Sequence, residues 1–280
     1  MDSNQRKAET LVEAIPYIQK YNGKIIVIKY GGHSMDSAEV KKSIMEDVVM
    51  LNLLGINIVV IHGGGPEIDK EMLKKGIKPK FLDGLRITDK YSLKIIIGVC
   101  RKINHGLVSL ITRKRCKAEG LFGNHGILAA KQKNKKLGFV GDITHVNTKP
   151  ILSALKNGNV AIISHLGYDS KGNIYNINAD TAASAIAVAL HAEKFTIMTN
   201  VKGVMEDGKF YSHLNIWQAS KKINDGVITK GMIPKVKACI EAVKRGCPKA
   251  HIIDGTQKHS LLIEIFTNEG IGTEIVKNNN

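Results

Sequence analysis

The hydrophobic positions of the chain follow two alternating patterns. Short β-branched runs, such as residues 24–30 and 56–61, are apolar at nearly every position, which is typical of strands buried on both faces. Between such runs apolar residues recur every three or four positions, and segment 37–54 predicts an amphipathic helix that ends at a glycine. Strands that alternate with helices at this spacing predict an α/β fold in three layers, α/β/α, with a mainly parallel central sheet.

The same two patterns predict the remaining elements. Ligands of such folds bind at the carboxyl ends of the strands, so we expect a site at that edge of the sheet. We predict strands at 160–164, 195–199 and 251–254, and helices at 66–75, 89–115, 180–190, 214–222, 232–245 and 258–266.

The predicted elements divide the chain into three parts. Residues 1–23 form an N-terminal arm, 24–192 an N-terminal lobe, and 193–280 a C-terminal lobe that begins after an alanine-rich helix. The arm has apolar residues at helical spacing from Ala8 to Tyr21, and Pro16 predicts a kink because proline removes a hydrogen bond and crowds the preceding turn. The arm packs either on its own lobe or on a partner subunit.

Composition restricts the classes of function. Of 280 residues, 43% are hydrophobic and 24% charged, as in soluble globular proteins, and no uninterrupted apolar run is long enough to span a membrane. The N-terminus resembles neither a secretory signal nor a transit peptide, so we expect a protein that works where it is made. The net charge of +16 comes from scattered lysines, and with only 5% aromatic residues it favours small anionic substrates over nucleic acid. The four cysteines have no metal-binding spacing and are expected to be reduced.

Two glycine-rich turns predict an anion site. Lys29-Tyr30-Gly31-Gly32 and His62-Gly63-Gly64-Gly65-Pro66 each follow a predicted strand, and the second leads into a helix. Glycines let backbone N–H groups approach an anion, and a helix N-terminus adds free donors and partial positive charge. The chain has neither a P-loop nor a Gly-x-Gly-x-x-Gly motif after a strand, so any nucleotide site is built differently.

Three further short motifs carry charged side chains. Arg86 lies in a short loop, where it is either a solvated surface charge or a bidentate carboxylate ligand. Asp180 follows Asn176 and Asn178 and is either a helix cap or a functional carboxylate. Lys235 lies in the first turn of a predicted helix, where the helix dipole opposes it, and this placement indicates a nearby anion.

Together these motifs resemble the amino acid kinase family, and within it the members that phosphorylate N-acetyl-L-glutamate during arginine synthesis. The resemblance covers about residues 8–277. It is carried by Lys-x-Gly-Gly at 29–32, His-Gly-Gly-Gly-Pro at 62–66, Gly-Leu-Arg-Ile-Thr at 84–88, Asn-Ile-Asn-Ala-Asp at 176–180, Thr-Asn-Val-x-Gly-Val at 199–204 and Gly-Met-Ile-Pro-Lys-Val at 231–236.

The resemblance implies roles for individual residues. Lys29 and Lys235 would neutralise the phosphoryl group in transit, and Asp180 would hold both lysines. The acetylglutamate site would consist of Gly64, Gly65, Arg86, Asn176 and Asn178, with Arg86 on the α-carboxylate. ATP, with Mg²⁺ held mainly by its phosphates, would contact Gly31, Gly32, Asn200, Val201, Lys202, Gly203, Val204, Met205, Val227, Ile228 and Thr229.

The resemblance also implies regulation. Arginine-inhibited members carry an additional N-terminal helix that interlaces dimers into a hexamer, and the arm of this chain resembles it. Tyr17, Glu269, Gly270 and Gly272 resemble the arginine-binding region, although Glu274 stands where the family usually has Met. Asn200 and His33 stand where the family usually has Asp and Asn. A PII-type signalling protein is a further expected partner, and no nucleic acid or membrane is expected.

The resemblance implies an ATP-dependent transfer of a phosphoryl group to the γ-carboxylate of the acid. A glutamate-type carboxylate is ionised at neutral pH, so catalysis needs positioning and charge neutralisation rather than a base. Two alternatives stay open: another amino acid kinase, and a catalytically silent arginine-sensing scaffold. The expected location is the cytoplasm, or a plastid stroma if the chain is organelle-encoded.

Overall fold

The computed structural model describes residues 2–32, 37–122, 125–267 and 270–277, in which ten α-helices and sixteen strands form. The helices are α1 (Ser3–Glu13), α2 (Ile15–Tyr21), α3 (Ala38–Leu53), α4 (Gly65–Lys74), α5 (Lys90–Thr112), α6 (Lys149–Lys156), α7 (Ala179–Ala189), α8 (Ile216–Asn224), α9 (Met232–Lys244) and α10 (Ser260–Phe266). The strands are β1 (Ile25–Tyr30), β2 (Asn57–His62), β3 (Phe81–Leu82), β4 (Leu85–Arg86), β5 (Ala118–Leu121), β6 (Leu128–Gln132), β7 (Gly141–Val146), β8 (Val160–Ser164), β9 (Leu166–Tyr168), β10 (Ile174–Asn176), β11 (Lys194–Thr199), β12 (Val204–Glu206), β13 (Lys209–Tyr211), β14 (His213–Asn215), β15 (Lys249–Asp254) and β16 (Thr273–Val276).

The central sheet has eight strands in the order β14-β16-β15-β11-β1-β2-β8-β5. All neighbouring strands in it are parallel except β15 and β16, which are antiparallel. The predicted fold class, a mainly parallel sheet between helical layers, is confirmed. The strands in the middle of the sheet, β1, β2 and β11, are among those that the sequence predicts.

Apolar cores lie on both faces of this sheet because successive side chains of a strand point to opposite sides. Val27 of β1 packs with residues of α6, α7, α8 and α9 on one face. Its neighbours Ile26 and Ile28 pack with residues of α3, α5 and α10 on the other. The helix layers therefore place the N-terminal turns of α7 and α9 on one face of the sheet.

A second sheet, of four strands in the order β10-β9-β6-β7, is not among the predicted elements. Its strands have three to six residues and mixed polarity, so no long apolar run marks them. Close packing depends on Gly167 of β9, where an added Cβ would lie 2.8 Å from the Cβ of Ala130. This sheet carries Asn176 toward the site described below.

The arm differs from the single kinked helix that the sequence predicts. It forms two helices that meet at Ala14, and Pro16 lies in the first turn of α2, where a missing N–H costs nothing. Tyr21 of α2 packs into the core of its own chain. Leu11 and Val12 of α1 are 65% and 63% exposed. The arm thus packs on its own lobe through α2, while α1 keeps an uncovered apolar face.

One helix of the described residues, α5, is long and apolar enough to cross a membrane by length and composition alone. The sequence predicts a long helix at residues 89–115, where Arg101 and Lys102 interrupt the apolar residues. Leu107 and Ile111 of this helix are buried in the core against the central sheet. One such helix is weak evidence for a membrane span, because core helices of soluble proteins can satisfy the same criteria.

Candidate active site

Two lysines from distant parts of the chain meet on one carboxylate. Lys29 is near the end of β1, and its Nζ lies 3.1 Å from Oδ1 of Asp180. Lys235 is in the first turn of α9, and its Nζ lies 3.0 Å from Oδ2 of the same carboxylate. The sequence predicts that these three residues converge, and the structure brings them together.

Asp180 does not cap its helix. The cap of α7 is Asn178, whose Oδ1 accepts hydrogen bonds from the backbone N–H groups of Asp180 (2.9 Å) and Thr181 (3.0 Å). The alternative interpretation of Asp180 as a cap is therefore wrong. Asn178, predicted as a substrate ligand, has a structural task that leaves its side-chain amide nitrogen for other contacts.

Burial and mutual charge set the electrostatics of this triad. Burial lowers the pKa of Lys29, and the charge of Lys235 acts in the same direction while Asp180 opposes both. Burial would raise the pKa of Asp180, but the two lysines outweigh it and hold that pKa below its usual value. With Asp180 ionised and both lysines protonated, the triad carries one net positive charge, which favours an anion beside it.

The two glycine turns lie against each other at the same edge of the sheet. A Cβ added to Gly31 would lie 3.2 Å from Cα of Gly63 and 3.2 Å from Nζ of Lys29, so a larger residue there would displace the turn. Gly63 donates its N–H to the Tyr30 carbonyl at 2.7 Å. Helix α4 begins directly after Gly64, without a side-chain cap, and its N-terminus can bind an anion.

A cavity of about 240 Å³ is lined by Lys29 and Asp180 of the triad, by the glycine turns and by Asn176 of the second sheet. Arg86 lines it and is buried, which excludes the alternative of a solvated surface charge. Its guanidinium donates to Asp69 Oδ1, and its Cζ lies 4.9 Å from the ring centre of Phe81. The other predicted residues that line the cavity are Lys29, Gly32, Gly64, Gly65, Asn176, Asn178 and Asp180.

The cavity also contains His165, which is not among the residues predicted from the sequence. This residue lies between β8 and β9 and is 5% exposed. It follows the carboxyl end of a parallel strand, β8. The expectation that ligands bind at the carboxyl ends of the strands therefore applies to His165 as it does to the glycine turns. A single histidine outside any motif gave no stronger signal.

Of the predicted nucleotide residues, Gly31 and Gly32 follow β1 and stay predicted contacts, and the others lie at the carboxyl end of β11 and before α9. Because β11 pairs in parallel with β1, Asn200 follows its strand at the same edge of the sheet as Lys29. Val204 donates its N–H to Thr273 Oγ1 at 2.8 Å, and Ile228 is buried, so these two residues also have structural tasks. Contact with a nucleotide stays a prediction for the whole set, Asn200, Val201, Lys202, Gly203, Val204, Met205, Val227, Ile228 and Thr229.

A second cleft, of about 300 Å³, contains most of the predicted arginine residues. Tyr17, Gly270 and Gly272 line it together with Glu264 and Glu274. Glu269 lies outside the described residues, as does His33. Burial opposes ionisation of Glu264, but His251 and Lys194 outweigh it and lower its pKa to about 2. The cleft thus combines fixed negative and positive groups.

Comparison with known proteins agrees with this geometry. A family model described as the amino acid kinase family matches residues 24–254. The acetylglutamate kinase of Clostridioides difficile (strain 630) is 45% identical over 99% of both chains. That of Methanocaldococcus jannaschii is also 45% identical, over 97% of this chain and 96% of its own.

Solved structures share the fold. N-acetylglutamate synthase from Neisseria gonorrhoeae, complexed with coenzyme A and L-arginine, superposes with a TM-score of 0.83 at 26% identity over 97% of this chain. This chain spans 65% of the length of that synthase. Carbamate kinase from Giardia lamblia bound to AMP-PNP, with a TM-score of 0.68 at 16% identity over 91% of this chain and 99% of its own, shares the fold alone. The matched family model, the near full-length relatives and the lysine–aspartate triad lead to one conclusion: the chain belongs to the amino acid kinase family.

Proposed function

We propose that this protein transfers the γ-phosphoryl group of ATP to the γ-carboxylate of N-acetyl-L-glutamate, forming N-acetylglutamyl 5-phosphate for arginine biosynthesis. The observation that carries the proposal is the pair of lysines on Asp180. Asp180 and Lys29 line a cavity that Arg86 also lines. The names of the relatives at 45% identity support the choice of acid.

Charge neutralisation is the chemical task of the triad. The acceptor carboxylate has an ordinary pKa of about 4.3, so it is ionised at neutral pH and needs no base. It must approach a polyphosphate, and two unit charges at 4 Å repel by about 4 kcal/mol at an effective dielectric constant of 20. Lys29 and Lys235 offset this repulsion as charge moves between the two oxygens, and Asp180 keeps both ammonium groups in place.

The acetylglutamate would lie in the cavity beside the triad. Arg86 presents a planar guanidinium that suits the α-carboxylate. Backbone N–H groups of Gly64 and Gly65 would bind the γ-carboxylate near Lys29, at the N-terminus of α4. Asn176 and the side-chain nitrogen of Asn178 would contact the acetamido group. These contacts fix the acceptor oxygen in line with the phosphorus atom.

The nucleotide would lie across the C-terminal lobe, 193–280, opposite the acetylglutamate lobe, 24–192. Gly31 and Gly32 would face its phosphates, and the residues around Asn200 and Thr229 its base and ribose. Among the described residues there is no cluster of three or more acidic, histidine or cysteine side chains able to hold a metal ion. As the family resemblance implies, we propose that Mg²⁺ is held mainly by the phosphates of ATP and would enter the site with them.

The test is ADP formation with ATP, Mg²⁺ and N-acetyl-L-glutamate, compared with glutamate and aspartate as acceptors. Lys29→Ala and Lys235→Ala should each lower kcat by ~10² or more, the effect of losing a preorganised donor. Two exposed lysines provide matched control variants. Lys24→Ala changes the residue just before the strand that carries Lys29, and Lys237→Ala changes a residue in the helix that carries Lys235. Near-normal turnover in both site variants would contradict the assignment, and preference for another acid would point to a different amino acid kinase.

Inhibition by arginine is a further part of the proposal, supported by the second cleft. Glu264 and Glu274 provide carboxylates for a guanidinium, and Lys194 and Lys249 provide ammonium groups for a carboxylate. Arginine should lower the rate of ADP formation while lysine at the same concentration does not. Glu274→Gln should weaken this inhibition, whereas the exposed Glu241→Gln should not; binding of arginine without any kinase activity would favour the sensing scaffold.

Assembly and location complete the proposal. The uncovered apolar face of α1, with Leu11 and Val12, favours a homo-hexamer built through the arms, which light scattering of the full chain and of Leu11→Asp would test. The expected location is the cytoplasm, because the relatives reported above come from a bacterium and an archaeon and give no support to a plastid. Docking of a PII-type protein stays a prediction.

A further inference from the structure

His62 begins the second glycine turn, residues 62–66, and the proposed mechanism gives it no task. It is the last residue of β2, is fully buried, and is not among the residues that line the acetylglutamate cavity. Burying an imidazole ring costs free energy that an apolar side chain of similar size would not lose. The hydrogen bonds of the ring show what offsets this cost.

Two neighbours fix the tautomer of the His62 ring. Burial lowers its pKa to about 3, so the ring is neutral and has one N–H group. Its Nδ1 lies 2.9 Å from the carbonyl oxygen of Gly63, which can only accept a hydrogen bond, so Nδ1 is the donor. Its Nε2 lies 3.4 Å from Nδ2 of Asn104, which donates its other hydrogen to the Ile162 carbonyl at 2.9 Å. Nε2 therefore accepts, and both ring nitrogens are paired.

The first three carbonyl groups of the turn all accept hydrogen bonds. The His62 carbonyl accepts from Nδ1 of His165 at 3.1 Å. The Gly63 carbonyl accepts from the ring of His62. The Gly64 carbonyl accepts from the backbone N–H of Ile68, in the first turn of α4, at 2.8 Å. The direction of each of these peptide units is therefore set by a donor in the folded chain.

The N–H of Gly64 is the group that this arrangement leaves for a ligand. The peptide bond between Gly63 and Gly64 is trans, so its N–H points away from the side to which its carbonyl group points. The carbonyl group faces the His62 ring, and Gly64 lines the cavity whereas that ring does not. Among the described residues no backbone hydrogen bond engages the Gly64 N–H.

We propose that His62 is a positioning residue, which orients the peptide unit between Gly63 and Gly64 so that the Gly64 N–H donates to the γ-carboxylate of the bound acid. His165 supports it by holding the preceding peptide unit. This inference rests on the proposed function and extends it to how the turn keeps one direction. Glycine has access to several backbone conformations, so without the ring this peptide unit can rotate and turn its carbonyl oxygen toward the carboxylate.

The test compares N-acetyl-L-glutamate with N-acetyl-L-2-aminobutyrate, the same acid without its γ-carboxylate. His62→Leu keeps a buried side chain of similar size but removes the donor to the Gly63 carbonyl. Its kcat/KM for N-acetyl-L-glutamate should fall about 10- to 100-fold, the effect of losing a hydrogen bond to a charged group. KM for ATP and the inhibition constant of N-acetyl-L-2-aminobutyrate should change by less than about twofold, because neither depends on that hydrogen bond.

A conservative variant separates positioning from packing. His62→Asn places an amide nitrogen where Nδ1 lies, so it can donate to the Gly63 carbonyl and should recover most of kcat/KM. A packing role predicts the opposite order, because leucine fills an apolar space better than asparagine does. His145→Leu, on the exposed part of β7 outside the cavity lining, serves as the matched control. If His62→Leu does not fold, as judged by thermal unfolding, His62→Ala is compared in the same way.

Each outcome decides between the hypotheses. A loss of kcat/KM in His62→Leu with recovery in His62→Asn, and an unchanged inhibition constant for the acid without the γ-carboxylate, supports the inference. Normal kcat/KM in a folded His62→Leu or His62→Ala variant overturns it and leaves the proposed function intact. An equal loss in His62→Asn, or weaker binding of both acids, also overturns it. If the unmodified protein forms no ADP from N-acetyl-L-glutamate, the proposed function fails and this inference fails with it.

Discussion

Replacing Asp180 with Asn tests the electrostatic role of the triad with a minimal change of shape. The substitution removes one negative charge between two ammonium groups at 3.1 and 3.0 Å. At an effective dielectric constant of 20, each of these attractions is about 5 kcal/mol before the cost of desolvation. Removing one partner of a buried ion pair commonly costs ~3–5 kcal/mol, because the other charge stays buried and uncompensated. Lys29 is the more deeply buried of the two lysines and bears most of this effect.

The variant should therefore lose turnover in a pH-dependent way. In the native protein, burial already lowers the pKa of Lys29 and only Asp180 opposes it strongly. Without that carboxylate the pKa falls further, a larger share of Lys29 is neutral at pH 7, and kcat should drop by ~10²–10³. Because protonation restores the ammonium group, kcat of the variant should recover partly as the pH is lowered from 8 to 6.

The assay is ADP formation across this pH range at saturating ATP and N-acetyl-L-glutamate. Asp225→Asn, an exposed aspartate at the end of α8, is the matched control and should behave like the native protein. Thermal unfolding of each protein separates a loss of fold from a loss of chemistry. A folded Asp180→Asn variant with kcat within about threefold of the native value would refute the electrostatic role of the triad.

Three further predictions concern the cavity and its supports. Arg86→Ala should raise KM for N-acetyl-L-glutamate about 10- to 100-fold, because a charged hydrogen bond is lost, and should leave KM for ATP unchanged. A rise in KM for ATP alone would assign Arg86 to the nucleotide site. Gly31→Ala should lower kcat about 10-fold or more, since its Cβ would meet Gly63 and Nζ of Lys29 at 3.2 Å, and normal kinetics would show that the turn adapts. Burial lowers the pKa of His62 from 6.5 to about 3. As the pH falls, His62 is therefore protonated in the unfolded chain before it is protonated in the folded protein, and the free energy of unfolding decreases from about pH 6.5 toward pH 3. At pH 5 the loss from His62 is about 2 kcal/mol relative to pH 7, and urea unfolding of His62→Asn should lack that part of the pH dependence.

The elements that the sequence predicts are those whose burial is visible in the local pattern. Strands β1, β2, β8, β11 and β15 are mostly apolar and buried on both faces, and apolar residues of the helices between them repeat with the helical period. The second sheet, the edge strand β14 and its neighbour β16 are short and partly polar, so no long apolar run marks them. Their pairing depends on contacts between distant segments, which a local pattern does not contain.

The same distinction applies to the site. Lys29 and Asp180 belong to motifs that a reader of the sequence can find, and the structure joins them directly. Asn178 belongs to the same motif as Asp180, but only the structure shows that it caps α7. The tautomer of His165 depends on the carbonyl oxygen of His62, on another strand of the sheet, so no spacing within the sequence points to it.

Lys235 shows how the fold explains a residue that is locally unfavourable. In the first turn of α9, a lysine faces the positive end of the helix dipole, whereas Asp180 in the first turn of α7 is placed where that dipole favours it. Helices α7 and α9 pack on the same face of the sheet, so their N-terminal turns meet and Asp180 compensates the lysine. Helix stability alone would favour a polar or acidic residue at position 235. In the proposed function a lysine there supplies a second positive charge beside Lys29 for the phosphoryl group in transit, and local conflicts of this kind concentrate at functional sites.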